Sequence, residues 1–202
     1  MQDLDIRGAG NLLGAEQSGF IMDMGYETYQ KILSEAMEEL GIESGIRTSA
    51  STDFIVECTI ETDQLAYIPD DYIDVQAEKL RIYKQLDSMK KERDINSFQA
   101  QIKDRFGDLP EPALNLFYVV RMRNIAESLG FEKLIVKNGL FIAFFVSSPM
   151  SEYYKSSTFQ RVLEKSASIQ TLAFKQSEGK LKLVSRGIDS MEKAYALLDK
   201  IK

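Results

Sequence analysis

The sequence of 202 residues contains no histidine and no tryptophan, and Cys58 is its single cysteine. The absence of histidine excludes Ser-His-Asp and Cys-His catalysis and also the common zinc sites. A lone cysteine excludes a disulfide within the chain, which suits a reducing, cytoplasmic location. We expect Cys58 to pack as a small apolar residue, since no imidazole is present to activate its thiol.

Long apolar runs and nucleotide-binding motifs are absent as well. No run approaches the ~20 residues that a membrane span needs, and no signal peptide opens the chain. The sequence has no G-x-x-x-x-G-K-S/T loop to hold a nucleotide, and no tight cluster of Asp and Glu to hold magnesium. We therefore expect no catalytic residue, metal site, cofactor or membrane contact in this chain. We also expect that it is not an enzyme on its own.

The composition is that of a folded protein, with 44% hydrophobic and 28% charged residues. The net charge of −6 is unevenly placed, because residues 1–50 carry nine of the 31 acids but only three of the 25 bases. The remaining 22 acids and 22 bases balance in residues 51–202. Neither part has the basic excess of a duplex-binding module, so we do not expect this chain to bind DNA alone.

Periodicity divides the chain into three parts. Residues 1–41 predict a helical hairpin whose second helix runs from Asp23 to Leu40, with Gly41 after its end. Residues 42–52 are rich in Gly, Ser and Thr and predict a linker. Residues 53–202 then form a C-terminal domain. The second helix of the hairpin carries a single apolar stripe, which needs a neighbour to bury it: Tyr29, Ile32, Leu33, Ala36, Met37 and Leu40.

The C-terminal domain is predicted to be α+β, with helices packed on an antiparallel sheet. A strand at 54–60 precedes helices over about 72–90, from Asp94 to Phe106, and onward to Leu129. From residue 131 the order is ββαββα, and Asn138-Gly139 predicts a type I′ hairpin turn. The second strand of that hairpin is apolar almost throughout, so we expect both its faces to be covered. On the third helix, we expect Arg121 and Arg123 to form surface ion pairs.

Four glycines, one arginine and one glutamine are concentrated near the start of the chain. The residues are Arg7, Gly8, Gly10, Gly14, Gln17 and Gly19, within the pattern D-L-x-I-R-G-A-G-N-L-L-G-x-x-Q-S-G. This pattern resembles the TRG motif ("translocation in RecG"), which RecG helicases share with the bacterial transcription-repair coupling factor family. On spacing alone, the same residues are compatible with a plain helix-loop-helix connection with glycine caps.

Two later stretches of the sequence distinguish RecG helicases from transcription-repair coupling factors. They are I-P-D-D-Y-I at 68–73 with R-I-Y-K-Q-L at 81–86, and D-R-F-G-D-L-P at 104–110. Both resemble the C-terminal regulatory (TRCF) domain of transcription-repair coupling factors, which RecG lacks. The resemblance runs in order from Asp3 to about Gly130. It implies that the chain is the C-terminal fragment of a DNA translocase that displaces stalled RNA polymerase and recruits nucleotide excision repair.

The resemblance also implies roles and partners. In this family the TRG residues couple ATP hydrolysis in the helicase motor lobes to movement along duplex DNA. The terminal domain autoinhibits the protein by masking its UvrA-binding module, so UvrA and RNA polymerase would be indirect partners. ATP and magnesium would act in the full-length protein only. Asp104 and Arg105 match docking positions of the family, whereas Gln101, one turn earlier, stands where an acid is expected.

Two other interpretations remain open at this point. The chain could be the C-terminal part of a RecG-type helicase, although the long domain after residue 53 argues against this. It could also be an unrelated, non-enzymatic adaptor with a glycine-rich hairpin. Asp104 and Arg105 could then form an ordinary ion pair at a helix end, which contributes little to stability.

Overall fold

The computed structural model describes residues 57–148, 150–177 and 179–202. They form five α-helices: α1 (Gln76–Ser88), α2 (Glu92–Phe106), α3 (Glu111–Leu129), α4 (Ser157–Ala167) and α5 (Met191–Ile201). The five strands are β1 (Thr59–Thr62), β2 (Phe131–Lys137), β3 (Leu140–Phe145), β4 (Leu172–Ser177) and β5 (Lys180–Arg186), and a 3-10 turn spans Glu152–Lys155. The domain is therefore α+β, as predicted. The predicted hairpin at 1–41 and linker at 42–52 lie outside the described residues.

The strands form one sheet in the order β1-β2-β3-β5-β4. Neighbouring strands from β2 onward are antiparallel, so both the ββαββα order and the antiparallel pairing predicted from residue 131 are confirmed. β1 adds a parallel edge strand, with Thr59 opposite Lys133. The connection between these two parallel strands contains α1, α2 and α3, because parallel neighbours need a long crossover.

The hairpin between β2 and β3 turns at the two residues that the sequence singled out. Asn138 has φ +53° and Gly139 has φ +70°, the two left-handed positions that a type I′ turn requires. Asn138 also donates its backbone N–H to Asp63 Oδ2 at 2.7 Å, which ties the turn to the segment after β1. The turn prediction is therefore confirmed.

One face of the sheet forms the core, where α3 packs on β1 and β2 and α4 packs on β4. On β3, the side chains of Phe141, Ala143 and Phe145 point to the helices and are buried. Those of the alternate residues point away and are only half-buried. The prediction that both faces of β3 are covered is thus not met within the described part of the chain.

α3 is the most deeply buried helix. The prediction for two of its arginines is right about their ion pairs but wrong about their position on the surface. Arg121 and Arg123 are only 7% and 4% exposed, so they are not surface residues. Arg121 Nε donates to Glu92 Oε1 at 2.7 Å, and Arg123 Nη1 donates to Asp87 Oδ1 at 2.6 Å. The helix is covered on two sides, so its charged residues had to be paired inside the fold.

The C-terminal ends of the helices agree with the sequence better than their starts. Gly107 and Gly130 end α2 and α3 with positive φ, as predicted. α2 begins earlier than predicted, with Lys91 rather than Asp94 at its N-cap. The N-cap of α4 is Ser156, whose Oγ accepts the backbone N–H of Phe159.

Candidate docking surface

The three predicted docking residues of the C-terminal domain lie together near the end of α2. Gln101, Asp104 and Arg105 are all exposed. Residues three and four apart share one side of a helix, and the adjoining side of α2 buries Ile95, Phe98 and Ile102 against the core. The structure therefore presents the predicted residues as one continuous surface.

Arg105 is held in place by a residue of α1. Its Nη1 donates to Glu78 Oε1 at 2.6 Å, and Arg81 donates to both oxygens of the same carboxylate, at 2.6 and 3.1 Å. These hydrogen bonds, chiefly that from Arg81, lower the pKa of Glu78 below its ordinary value. Because Glu78 stays ionised, it orients two guanidinium groups side by side on the surface.

The ring of Phe106 further restricts Arg105. The guanidinium carbon of Arg105 lies 4.8 Å from the centroid of that ring. Tyr72 meets the ring of Phe106 edge-on, with the centroids 6.2 Å apart, and its hydroxyl donates to the carbonyl of Gly107 at 2.9 Å. The end of α2 is thus fixed from two directions, so Arg105 is presented with little freedom to reorient.

Asp104 and Gln101 differ from Arg105 in having no such restraint. The side chain of neither residue forms a hydrogen bond or an ion pair with another residue that the structure describes. The carboxylate of Asp104 and the amide of Gln101 are therefore available to an incoming surface. Arg105 is thus oriented by Glu78, whereas the carboxylate of Asp104 is unpaired among the described residues. The two residues therefore do not form an ordinary ion pair with each other at the helix end.

Glu78, Arg81 and Tyr72 were not identified from the sequence as parts of this surface. The contact between Glu78 and Arg105 joins residues of two different helices, so no periodicity could reveal it. Arg81 is three residues from Glu78 on α1, so their ion pair is local to that helix.

The described ranges contain no group of three or more His, Cys, Asp or Glu side chains that could hold a metal ion. In the same ranges, no helix is both long enough and apolar enough to cross a membrane. Cys58 is buried, as predicted, and burial raises the pKa of its thiol to about 12.

The comparison with known protein families now identifies the domain. Residues 62–156 match the TRCF domain. Gln101, Asp104 and Arg105 all lie inside the matched residues, as do α1, α2 and α3.

The chain is also similar to proteins named transcription-repair-coupling factor. That of Escherichia coli (strain K12) is 36% identical over 132 residues, which cover 65% of this chain and 11% of the relative. That of Bacillus subtilis (strain 168) is 41% identical over 123 residues, covering 61% and 10%. The aligned part of the chain thus spans about a tenth of the length of these curated relatives.

A solved structure supports the same assignment of fold. The crystal structure of the C-terminal domain of transcription-repair coupling factor aligns with a TM-score of 0.59 at 19% identity, covering 72% of this chain and 92% of that one. The described residues therefore share the fold of that C-terminal domain.

The other predicted site residues lie outside the residues that the structure describes. Their role in coupling translocation to ATP hydrolysis stays a prediction. They are the TRG residues Arg7, Gly8, Gly10, Gly14, Gln17 and Gly19.

Proposed function

We propose that this chain is the C-terminal part of a transcription-repair coupling factor, a DNA translocase that displaces stalled RNA polymerase and recruits nucleotide excision repair. In this proposal the TRCF domain autoinhibits the protein by docking on its UvrA-binding module. The chain itself performs no catalysis. It has no nucleotide-binding loop, so ATP and magnesium are held by residues outside this sequence.

The observation that carries the proposal is the surface at the end of α2. Arg105 is oriented by Glu78, while Asp104 beside it is exposed and unpaired among the described residues. A surface with both charges placed in this way is suited to a reversible polar contact, which another state of the protein could release. The TRCF domain supports a coupling factor over the RecG-type alternative, since the resemblance implied that RecG lacks this domain.

The docking role is tested by Asp104→Ala combined with Arg105→Ala in the full-length protein. We expect UvrA to bind more tightly, because loss of both contacts shifts the protein towards its open population. The measurement is the Kd for purified UvrA. The matched control is Arg93→Ala with Asp94→Ala, which removes one base and one acid from the exposed start of the same helix. Unchanged UvrA binding in the first variant would remove these residues from the interface.

The TRG role is tested by Arg7→Ala in the full-length protein. We expect ATP hydrolysis to continue while translocation and the displacement of stalled RNA polymerase are lost. Arg7→Lys should fail as well, because lysine cannot reproduce the planar, directional hydrogen bonds of a guanidinium group. Arg47→Ala, in the predicted linker, is the control. Normal displacement of polymerase by the Arg7→Ala protein would contradict the assignment.

A further inference from the structure

The two edges of the sheet differ in how well they are covered. β1, at one edge, has four residues, and Ile60 within it is buried. β4, at the other edge, has six residues, of which the last five are exposed. Within the described ranges, no residue outside β5 forms a hydrogen bond with the backbone of residues 173–177. β4 is therefore an open edge to which another strand could add.

The outer side of β4 presents main-chain groups that β5 does not use. β4 and β5 are antiparallel, with Ser177 opposite Lys180 where the two-residue hairpin loop closes. From this closing pair onward, residues whose N–H and C=O groups point to the partner strand alternate with residues whose groups point away. Phe174 and Gln176 therefore point away from β5. Leu172 follows the same alternation, since its N–H donates to a carbonyl of the preceding turn.

One face of β4 carries positive charge without a compensating acid. Lys175 lies directly opposite Lys182 of β5, so both side chains point to the same face of the sheet. Like charges directly opposite each other destabilise a strand pair. Neither these lysines nor Arg186, on the same face of β5, form an ion pair with a carboxylate among the described residues. Acidic side chains on a strand beside β4 would offset this repulsion.

The other face of β4 is apolar and only partly covered. Phe174 stacks on the buried ring of Phe145, with an interplanar angle of 11°, but it remains 37% exposed. α4 packs on β4, and Leu163 of this helix is 36% exposed. Phe174 and Leu163 are two of the large hydrophobic side chains that the described part of the chain leaves exposed. An apolar side chain on an added strand would cover Phe174 further.

The two faces of β4 together specify the kind of strand that fits. Successive side chains of a strand point to opposite faces, so acids directed at Lys175 alternate with apolar residues directed at Phe174. We propose that β4 is a docking site for an extended segment of a partner protein in which acidic and apolar residues alternate. The segment adds to the sheet as a further strand. Hydrogen bonds from the backbones of Phe174 and Gln176 supply affinity, and the alternating side chains supply specificity.

A second copy of this chain fits the edge less well. A two-fold pairing of β4 with itself would bring another Lys175 to the face that already holds Lys175 and Lys182, which increases the repulsion. The site also lies outside residues 62–156, which match the TRCF domain. It is therefore separate from the surface at the end of α2.

The test measures the binding of a fluorescein-labelled synthetic peptide to the 202-residue chain by fluorescence anisotropy. In the peptide, glutamate and valine alternate over the length of β4. A peptide of the same composition, with its glutamates grouped at one end, is the control. It should bind about tenfold more weakly, because it cannot direct its acids and its valines to opposite faces.

Gln176→Pro tests the main-chain pairing. Proline removes an N–H that points away from β5, so the bonds between β4 and β5 remain, as on other edge strands that contain proline. We expect the affinity for the alternating peptide to fall about tenfold, which corresponds to the loss of one hydrogen bond. Gln176→Ala is the matched control, because it removes the same side chain but keeps the N–H. It should bind the peptide as the unsubstituted chain does.

A charge reversal tests the side-chain pattern without altering the backbone. Lys175→Glu should weaken binding of the glutamate–valine peptide and strengthen binding of a peptide in which lysine and valine alternate. Lys200→Glu is the control, since it makes the same charge change at an exposed position of α5. It should leave the preference for the glutamate–valine peptide unchanged.

Three results would overturn the proposal. Equal binding of the alternating and the grouped peptide would show that β4 does not select the pattern. An unchanged preference in the Lys175→Glu protein would remove this face of β4 from the contact. A dimer of the unsubstituted chain in sedimentation equilibrium that Gln176→Pro dissociates would assign the edge to a second copy.

Discussion

Gly130 occupies a position that no other residue type fits. It ends α3 with φ +82°, in the left-handed region that favours glycine. The ring of Tyr153 lies against it, and a Cβ added at Gly130 would overlap three atoms of that ring. Tyr153 has no room to move, because it is fully buried and its hydroxyl donates to the carbonyl of Leu129 at 2.5 Å.

Gly130→Ala should therefore lower the free energy of unfolding by about 3 kcal/mol, from left-handed strain plus overpacking against Tyr153. Urea denaturation of the 202-residue chain measures this loss. Gly139→Ala is the matched control, since Gly139 also has positive φ but has open space around it. It should lose only about 1 kcal/mol, the backbone part alone. Equal losses in the two proteins would show that the Tyr153 ring yields to the added methyl group.

The burial of Arg121 and Arg123 could not be predicted from the sequence around them. Both lie on a helix with hydrophobic neighbours, and charged side chains usually mark a solvent-exposed side. Arg121 is instead enclosed by Glu92, Asn96 and Gln99, all from α2. These residues meet Arg121 only because α2 packs on α3, so the predicted ion pairs are present but are buried rather than on the surface.

At the scale of elements, periodicity predicted which residues share one side of a helix, but it did not predict contacts between two helices. The spacing of Gln101, Asp104 and Arg105 placed them on one side of α2, and the structure agrees. Nothing in the sequence indicated that Glu78 of α1 would orient Arg105. The candidate docking surface was thus predictable in position but not in its pattern of paired and unpaired charges.

For the strands too, local features were predictable from the sequence and long-range pairing was not. The Asn138-Gly139 turn determined the hairpin of β2 and β3, because few other residues adopt two successive left-handed conformations. The parallel pairing of β1 with β2 depends on a crossover through α1, α2 and α3, and no local pattern records it. The apolar run in β3 predicted two covered faces, whereas the described helices cover one.

For the whole molecule, the burial of one cysteine thiol and two tyrosine hydroxyls predicts that the free energy of unfolding falls at alkaline pH. Burial raises the pKa of Cys58 from 9.0 to about 12 and that of Tyr83 from 10.0 to about 12, and it also raises the pKa of Tyr153. Below pH 9 these groups are protonated in both the folded and the unfolded states. Above it the unfolded chain loses protons that the folded chain keeps, so stability falls as pH rises.

The urea midpoint should therefore decline between about pH 9 and pH 12. Each group that ionises only in the unfolded state contributes a slope of about 1.4 kcal/mol per pH unit. The measurement is urea denaturation in steps from pH 7 to pH 11. Cys58→Ala should give a shallower decline, because one of the ionising groups is removed. A midpoint that stays constant up to pH 11 would contradict the prediction.

The sequence by itself determined the α+β class, the helix stops at Gly107 and Gly130, the β2–β3 turn and the side of α2 that carries Gln101, Asp104 and Arg105. These features depend on residues within a few positions of one another, whose conformational preferences act locally. Tertiary structure alone decided that Arg121 and Arg123 are buried, that Glu78 orients Arg105 and that one face of the sheet is open among the described residues. Each of these results from contacts between distant segments, which exist only once the helices pack on the sheet.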